Sequence, residues 1–153
     1  MFKSPLRLAL YSLLSVLLIL GTTLVIRNLE AADSKASPLK KVADVPLPGA
    51  PVRFDYQSLD ASQGRLYIAH MNADQLVVFD VNDRKVVANL DGFSRVHGVW
   101  AVPELGRVYA SVTGKHQVAV VDMKTLKTLA QVGPITYPDG LAYAPGPEAC
   151  IRL

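Results

Sequence analysis

From Phe54 onward the chain alternates short apolar runs with short polar turns. Residues 65–87 read RLYIAHMNADQLVVFDVNDRKVV and residues 107–129 read RVYASVTGKHQVAVVDMKTLKTL, so the same plan occurs twice. The turns are rich in Gly, Asn and Asp, which tolerate the tight backbone angles of hairpins. No window keeps a helical period for long, and the pattern therefore predicts an all-β fold.

The two stretches belong to a repeat that covers most of this region. When the chain is aligned with itself at an offset of 42 residues, residues 54–90 match residues 96–132 without a gap. The identical pairs include Gly64 and Gly106, Arg65 and Arg107, Tyr67 and Tyr109, Gln75 and Gln117, Asp80 and Asp122, Lys85 and Lys127, and Ala88 and Ala130. A third copy begins at Tyr137, and a period of this length is typical of a repeated supersecondary unit.

Each repeat accommodates four strands. In the first copy they are predicted at Phe54–Leu59, Leu66–His70, Leu76–Phe79 and Lys85–Leu90. The second and third contain LYIA and LVVF, which are apolar on both alternating faces, so their sheet has to be covered on both sides. Radial stacking of sheets provides that cover, with the more polar fourth strand at the outer edge. The predicted fold is a β-propeller with four-stranded blades of about 42 residues.

These residues resemble the YVTN-repeat β-propellers of exported bacterial proteins, over Lys40 to about Pro145. The YVTN strand of that family corresponds to 67–70 and 109–112, where the Tyr is kept and the final Asn is replaced. VVFD and VAVVD resemble the family's next strand and its terminal Asp. The resemblance implies the propeller fold and no particular activity, because a fold does not determine a function.

Residues 40–153 are predicted to be a partial propeller. A closing strand is expected at 40–49, complete blades at 54–90 and 96–132, and an incomplete blade at 137–153 that ends in a Gly- and Pro-rich stub. Propellers need roughly four to eight blades to close, and only two and part of a third are present. The chain is therefore expected to be a C-terminally truncated copy of a longer protein.

Residues 1–30 are predicted as a signal peptide or an uncleaved signal-anchor helix. Lys3 and Arg7 precede an uncharged run from Leu8 to Ile26, which is long enough to span a membrane. The polar residues 31–39 are predicted as a linker. The expected location is periplasmic or otherwise extracytoplasmic, with anchoring in the inner membrane through residues 8–26 if the segment is retained.

Charge and composition exclude several classes of function. From Phe54 onward the chain has nine basic and ten acidic residues, so no basic surface suited to nucleic acid is expected. Cys150 has no disulfide partner, and the histidines His70, His97 and His116 are not at metal-ligand spacing. Phosphate-loop and nucleophile motifs are absent from the sequence, and no cofactor, metal or catalytic residue is predicted.

One equivalent position in successive repeats carries titratable side chains. Asp55, His97 and Asp139 are separated by one repeat period each, with Tyr56 and Tyr137 beside two of them. One position in every blade forms a ring around the propeller axis, so these five residues are predicted to line a channel mouth that binds a ligand. The alternative is that they solvate the mouth and cap strand ends. Asp80 and Asp122, by contrast, are expected to hold turns.

The predicted function is that of a non-enzymatic, exported or membrane-anchored repeat protein. It would serve as a binding or scaffold module for a protein or small molecule at the channel face. Two alternatives stay open. One is a fragment of a propeller enzyme, either a lactonase-like hydrolase or a quinoprotein-like dehydrogenase, and the other is an inactive truncated remnant.

Overall fold

The structure, a computed structural model, describes residues 39–146 and 150–152, and this part of the chain is all-β. It contains ten strands and three 3-10 turns, and no α-helix. All ten strands lie in the compact unit Ala43–Leu153. None of the described helical turns is long and apolar enough to cross a membrane. The predicted signal or anchor helix and nearly all of the predicted linker lie outside the described residues.

Eight strands form two four-stranded antiparallel sheets, each with its strands adjacent in chain order. Sheet 1 contains β1 (Gln57–Asp60), β2 (Arg65–His70), β3 (Gln75–Asp80) and β4 (Lys85–Asp91). Sheet 2 contains β5 (Val96–Val102), β6 (Arg107–Val112), β7 (Gln117–Asp122) and β8 (Thr128–Val132). The prediction of four strands in each full repeat is confirmed, and a two-stranded sheet of β9 (Ala142–Ala144) and β10 (Cys150–Arg152) follows.

The first strand begins later than predicted because the chain bulges before it. The Asp55 N–H donates to the Ala69 carbonyl at 2.9 Å, and the Ala69 N–H donates to the Tyr56 carbonyl at 3.0 Å. Asp55 and Tyr56 thus both lie opposite Ala69, which is the arrangement of a β-bulge. Regular pairing starts only at Gln57, although backbone bonds to β2 begin two residues earlier.

The two sheets share their backbone irregularities, at matching positions, as well as their strand order. The register of β3 and β4 shifts between Val78 and Phe79, and that of β7 and β8 shifts at the equivalent point of the next repeat, between Val120 and Val121. The three turns of each sheet also contain residues with positive φ at matching positions: Gly64 and Gly106, Asp74 and His116, and Arg84 and Leu126. The sequence repeat is therefore a repeat of backbone conformation.

The main core lies between sheet 1 and sheet 2. On sheet 1 it contains Tyr67, Leu76 and Val78, all fully buried. On sheet 2 it contains Ala110 and Ala119, which pair with each other across β6 and β7. Strand β5 packs against β1 and β2.

The predicted cover on both faces of the inner strands is confirmed for β2 and β3. Ile68 and Val77 point away from the core between the sheets, because side chains alternate along a strand, and both are buried. The fourth strand lies at a sheet edge as predicted, and every residue of β8 is exposed.

Two terminal stretches differ from the predictions. Residues 40–49 form no strand within the described part of the chain, and Pro46 and Pro48 lack the N–H groups that a ladder needs. Residues 46–48 instead line a groove together with residues 86–89 of β4. The expected stub after Pro145 contains β10, which pairs with β9. Its Ile151 contributes to an apolar cavity against sheet 2.

Candidate functional site

The candidate residues lie just before or at the start of the first strand of each repeat. Asp55 belongs to the bulge before β1, His97 is the second residue of β5, and Asp139 precedes β9. The structure brings Asp55 and His97 together across the boundary between the sheets, with His97 Nε2 3.9 Å from Asp55 Oδ2. The Asp55 side chain is 19% exposed and that of His97 only 4%.

The ring of His97 is held by its other nitrogen. Nδ1 lies 2.8 Å from the Arg95 carbonyl oxygen and 2.8 Å from Thr113 Oγ1. A carbonyl oxygen can only accept, so the hydrogen is on Nδ1. The Thr113 hydroxyl gives its own hydrogen to the Pro138 carbonyl, which leaves its oxygen free to accept from His97. In the neutral ring, Nε2 therefore presents a lone pair toward Asp55.

Two hydroxyls, of Ser111 in β6 and of Thr113 just after β6, hold the segment that leads into the third repeat. Besides the Thr113 bond, the buried Ser111 hydroxyl donates to the Asp139 carbonyl at 2.5 Å. The Ser111 oxygen accepts from the Gly98 N–H at 2.6 Å. A Cβ at Gly98 would collide with the Asp139 carbonyl, so glycine is required for this close approach.

The two tyrosines are open to solvent, and Tyr137 contacts the ring of His97. The Tyr137 ring lies over His97 with 5.7 Å between centroids and a tilt of 56°. Tyr56 reaches toward Gly140, where a Cβ would lie 3.5 Å from its hydroxyl oxygen. Tyr56 is 50% exposed and Tyr137 is 58% exposed. Residues from three consecutive units thus converge on one polar cluster.

Asp139 joins this cluster through its backbone only. Its carbonyl accepts the Ser111 bond, while its residue is exposed and its carboxylate has no hydrogen-bond or ion-pair partner among the described residues. The structure therefore brings together Asp55, Tyr56, His97 and the backbone around Asp139, with Tyr137 beside them. Of the three equivalent residues, Asp55 and His97 approach each other through their side chains, whereas Asp139 takes part through its carbonyl group.

Sequence reasoning missed Arg53, which is the charged partner of Asp55. The Arg53 guanidinium lies 3.2 Å from Asp55 Oδ2, the oxygen that also faces His97. Arg53, Arg95 and Tyr137 are also spaced by one repeat period, so the offset that identified the first set marks this one too. Ser111 and Thr113 were missed because their counterparts, Ala69 and Met71, carry no hydroxyl.

The carboxylates with perturbed pKa values lie elsewhere, at turns. Asp122 Oδ1 accepts from the backbone N–H of Lys124 and from the N–H and hydroxyl of Thr125, and these bonds hold its pKa below the ordinary value. At Asp80, bonds from the backbone N–H groups of Asp83 and Asn82 lower the pKa in the same way. The predicted turn-holding role of both aspartates is confirmed by these bonds.

The cluster offers hydrogen bonding and aromatic contact rather than metal ligation. In 39–146 and 150–152, no group of three or more His, Cys, Asp or Glu side chains is placed to hold a metal ion. What the cluster provides is one imidazole lone pair, one carboxylate, one guanidinium and two exposed phenol rings. Such a set suits recognition of a small polar ligand.

Comparison with known proteins gives a similarity of fold. No protein-family profile and no curated protein matches the chain. Among solved structures, the chain is similar to a chain of hydrazine synthase from Kuenenia stuttgartiensis, with a TM-score of 0.52 and 16% sequence identity. The similarity covers 63% of this chain and 29% of the other, so this chain spans less than a third of its neighbour's length.

Proposed function

We propose that the chain is a non-enzymatic β-propeller repeat module of the YVTN type that binds a ligand at the channel mouth. Stacked sheets with a shared core and matching turns support the propeller arrangement. The resemblance of 67–70 and 109–112 to the YVTN strand supports the family. The binding face consists of Asp55, Tyr56, His97, Tyr137 and Asp139.

The observation that carries this proposal is the buried imidazole of His97, which lies beside the exposed ring of Tyr137. A group that merely solvates a channel mouth is exposed, whereas the His97 side chain is 4% exposed and held by two bonds to Nδ1. Its remaining nitrogen faces Asp55 across a boundary between units. Fixed polar groups beside apolar surface are typical of ligand sites.

Export and membrane attachment form the second part of the proposal. The uncharged run Leu8 to Ile26, preceded by Lys3 and Arg7, supports a signal or anchor segment. The repeat region would then act in the periplasm or another extracytoplasmic space. Fusion of alkaline phosphatase after Pro145 tests this part, since that enzyme is active only when exported.

Ligand binding is testable without knowing the ligand. The full-length chain, isotopically labelled and held in a detergent without a sugar headgroup, is screened by NMR against a chemically diverse library of small molecules. We expect hits to shift the amide resonances of 53–56, 97–98 and 137–140. The shifts should disappear in the double variant Asp55→Asn, His97→Asn and persist in Glu104→Gln, an exposed turn residue outside the cluster. Binding that maps only to other surfaces would contradict the proposal.

A further inference from the structure

The class of ligand follows from the hydrogen-bonding character of the Asp55–His97 pair, and this inference rests on the proposed function. With the hydrogen on Nδ1, both Nε2 and Asp55 Oδ2 are acceptors, and they lie 3.9 Å apart. Within the described residues no group donates a hydrogen bond to Nε2. Asp55 Oδ2 already accepts from Arg53, so the free acceptor is Nε2. A ligand donor that enters between the two groups can bond to Nε2 and to a remaining lone pair of Oδ2.

The charge at the site favours a neutral donor over a cation. Arg53 Nη2 already lies 3.2 Å from Asp55 Oδ2, so the carboxylate has its counter-charge. A ligand ammonium would have to enter beside that guanidinium and be repelled by it. Arg53 is also 60% exposed, which leaves other N–H groups of its fork free to donate to a ligand oxygen. The site thus presents acceptors and a donor side by side.

Hydroxyl groups match this mixture, since each can donate and accept. Two hydroxyls on neighbouring carbons lie about 3 Å apart, close enough to donate separately to Nε2 and Oδ2 at ordinary hydrogen-bond lengths of about 2.8 Å. The exposed rings of Tyr56 and Tyr137 offer apolar surface for the C–H faces of such a molecule and hydroxyls for its rim.

We propose that the cluster of Asp55, His97, Arg53, Tyr56 and Tyr137 binds a neutral, hydroxyl-rich small molecule, a sugar or a cyclic polyol. The His97 Nε2 lone pair and Asp55 Oδ2 accept from neighbouring hydroxyls. The Arg53 guanidinium donates to a ligand oxygen, and the tyrosine rings contact the carbon skeleton.

The test uses probes of similar size that differ in charge. The labelled full-length chain is titrated with myo-inositol and with the methyl glycosides of glucose, galactose and mannose. Cyclohexylammonium and cyclohexanecarboxylate serve as the charged comparisons. We expect saturable shifts at 53–56, 97–98 and 137–140 with at least one hydroxylated probe, and at least about tenfold weaker binding of either charged ring.

Two variants examine the assigned contacts. His97→Asn keeps an N–H donor near the position of Nδ1 and removes the Nε2 acceptor, and it should weaken binding at least about tenfold. If His97→Asn does not fold, Tyr137→Leu provides the test, because the exposed Tyr137 side chain contributes little to the core. That variant should also weaken binding, whereas Glu104→Gln should bind as the wild type does.

The outcomes separate the ligand class from the proposed function. Binding of cyclohexylammonium or cyclohexanecarboxylate at the cluster, with no hydroxylated probe bound, overturns the ligand class and leaves a binding module. Hydroxylated probes that bind equally well to wild type, His97→Asn and Tyr137→Leu overturn the assigned contacts. If none of these probes binds but a library compound maps to the cluster, only the ligand class fails. If nothing binds there, both proposals fail.

Discussion

The same tyrosine occurs at the same place in both sheets, and its burial differs. Tyr67 of β2 is 1% exposed, while Tyr109 of β6 is only partly buried. Their cross-strand partners correspond as well, since Tyr67 pairs with Val78 and Tyr109 with Val120. Sequence and backbone are therefore matched, and the difference comes from what lies against each sheet.

Other matched positions on these faces show the same trend. Leu76 is fully buried, and its counterpart Val118 is 7% exposed. Leu90 is partly buried, whereas Val132 in the equivalent place is 58% exposed. The face of sheet 1 that carries Tyr67 packs against a full sheet. The face of sheet 2 that carries Tyr109 meets Ile135 and Ile151 across a cavity of about 190 Å³. The exposure of a residue in a repeat thus depends on how completely the neighbouring sheet covers the face that carries it.

The largest expected effect is a difference between Tyr67→Ala and Tyr109→Ala. Truncating the buried Tyr67 should lower the free energy of unfolding by about 3–5 kcal/mol, as for large aromatic residues in cores. Tyr109→Ala should cost about 1–2 kcal/mol, because part of its surface is already exposed. Urea unfolding of the full-length chain measures both. Equal losses would mean that sheet 2 is covered as completely as sheet 1.

Removing one hydroxyl of sheet 2 should loosen the third unit at a smaller cost. Ser111→Ala leaves the Gly98 N–H and the Asp139 carbonyl without this partner, which we expect to cost about 2 kcal/mol. Hydrogen exchange should accelerate at Gly98 and along β9 more than along β2. Sheet 1 has alanine at the matched position 69, so its packing should be unaffected. Uniform acceleration in both sheets would argue against a local anchor.

The matched turn glycines should differ by a smaller amount still. Gly64 has φ +65° and Gly106 has φ +62°, so alanine at either site should cost about 1 kcal/mol through backbone strain. At Gly64 the added Cβ also collides with the Asn82 side chain, whereas no atom lies within 4 Å at Gly106. We expect Gly64→Ala to lower the free energy of unfolding slightly more than Gly106→Ala does, because the exposed Asn82 side chain can turn away from the added Cβ. Thermal unfolding of the two variants measures the difference, which the double variant Gly64→Ala, Asn82→Ala should largely remove.

The smallest effect concerns the two turn aspartates and pH. Both have a pKa below the ordinary value of 3.8 in the folded chain, because turn groups donate hydrogen bonds to the carboxylate. Their contribution to stability is therefore complete above that value and is lost as the pH falls through the lower folded-state pKa. Asp122 accepts three bonds at Oδ1 and has Arg107 at 3.0 Å, whereas Asp80 accepts two bonds at Oδ1 and has Arg65 at 3.6 Å.

We therefore expect Asp122→Asn to destabilise the chain more than Asp80→Asn at neutral pH. The acid limb of the stability curve should flatten more in Asp122→Asn, as measured by urea unfolding between pH 2 and pH 6. The exposed Asp83→Asn, whose side chain caps no turn, is the control. A larger effect at Asp80 would contradict the comparison of the two turns.

Much of the candidate site was readable from the repeat offset, and part of it was not. The offset identified Asp55 and His97 because a repeated backbone places equivalent residues in neighbouring units. It did not indicate Ser111 and Thr113, whose hydroxyls replace apolar side chains in only one copy. It also did not show that Asp139 contributes its carbonyl while its carboxylate stays apart, since side-chain direction depends on the local turn.

The strands of the two full repeats, their order and the turns between them could be predicted from the sequence alone. Alternating and doubly apolar runs, together with Gly, Asn and Asp at fixed offsets, are local signals that act within one hairpin. Contacts formed in the folded chain leave Tyr67 buried and Tyr109 only partly buried, bring Arg53 and His97 to the same oxygen of Asp55, and pair β10 with β9 after Pro145. These properties depend on contacts between units, and a pattern within one unit carries no information about which surface lies against it.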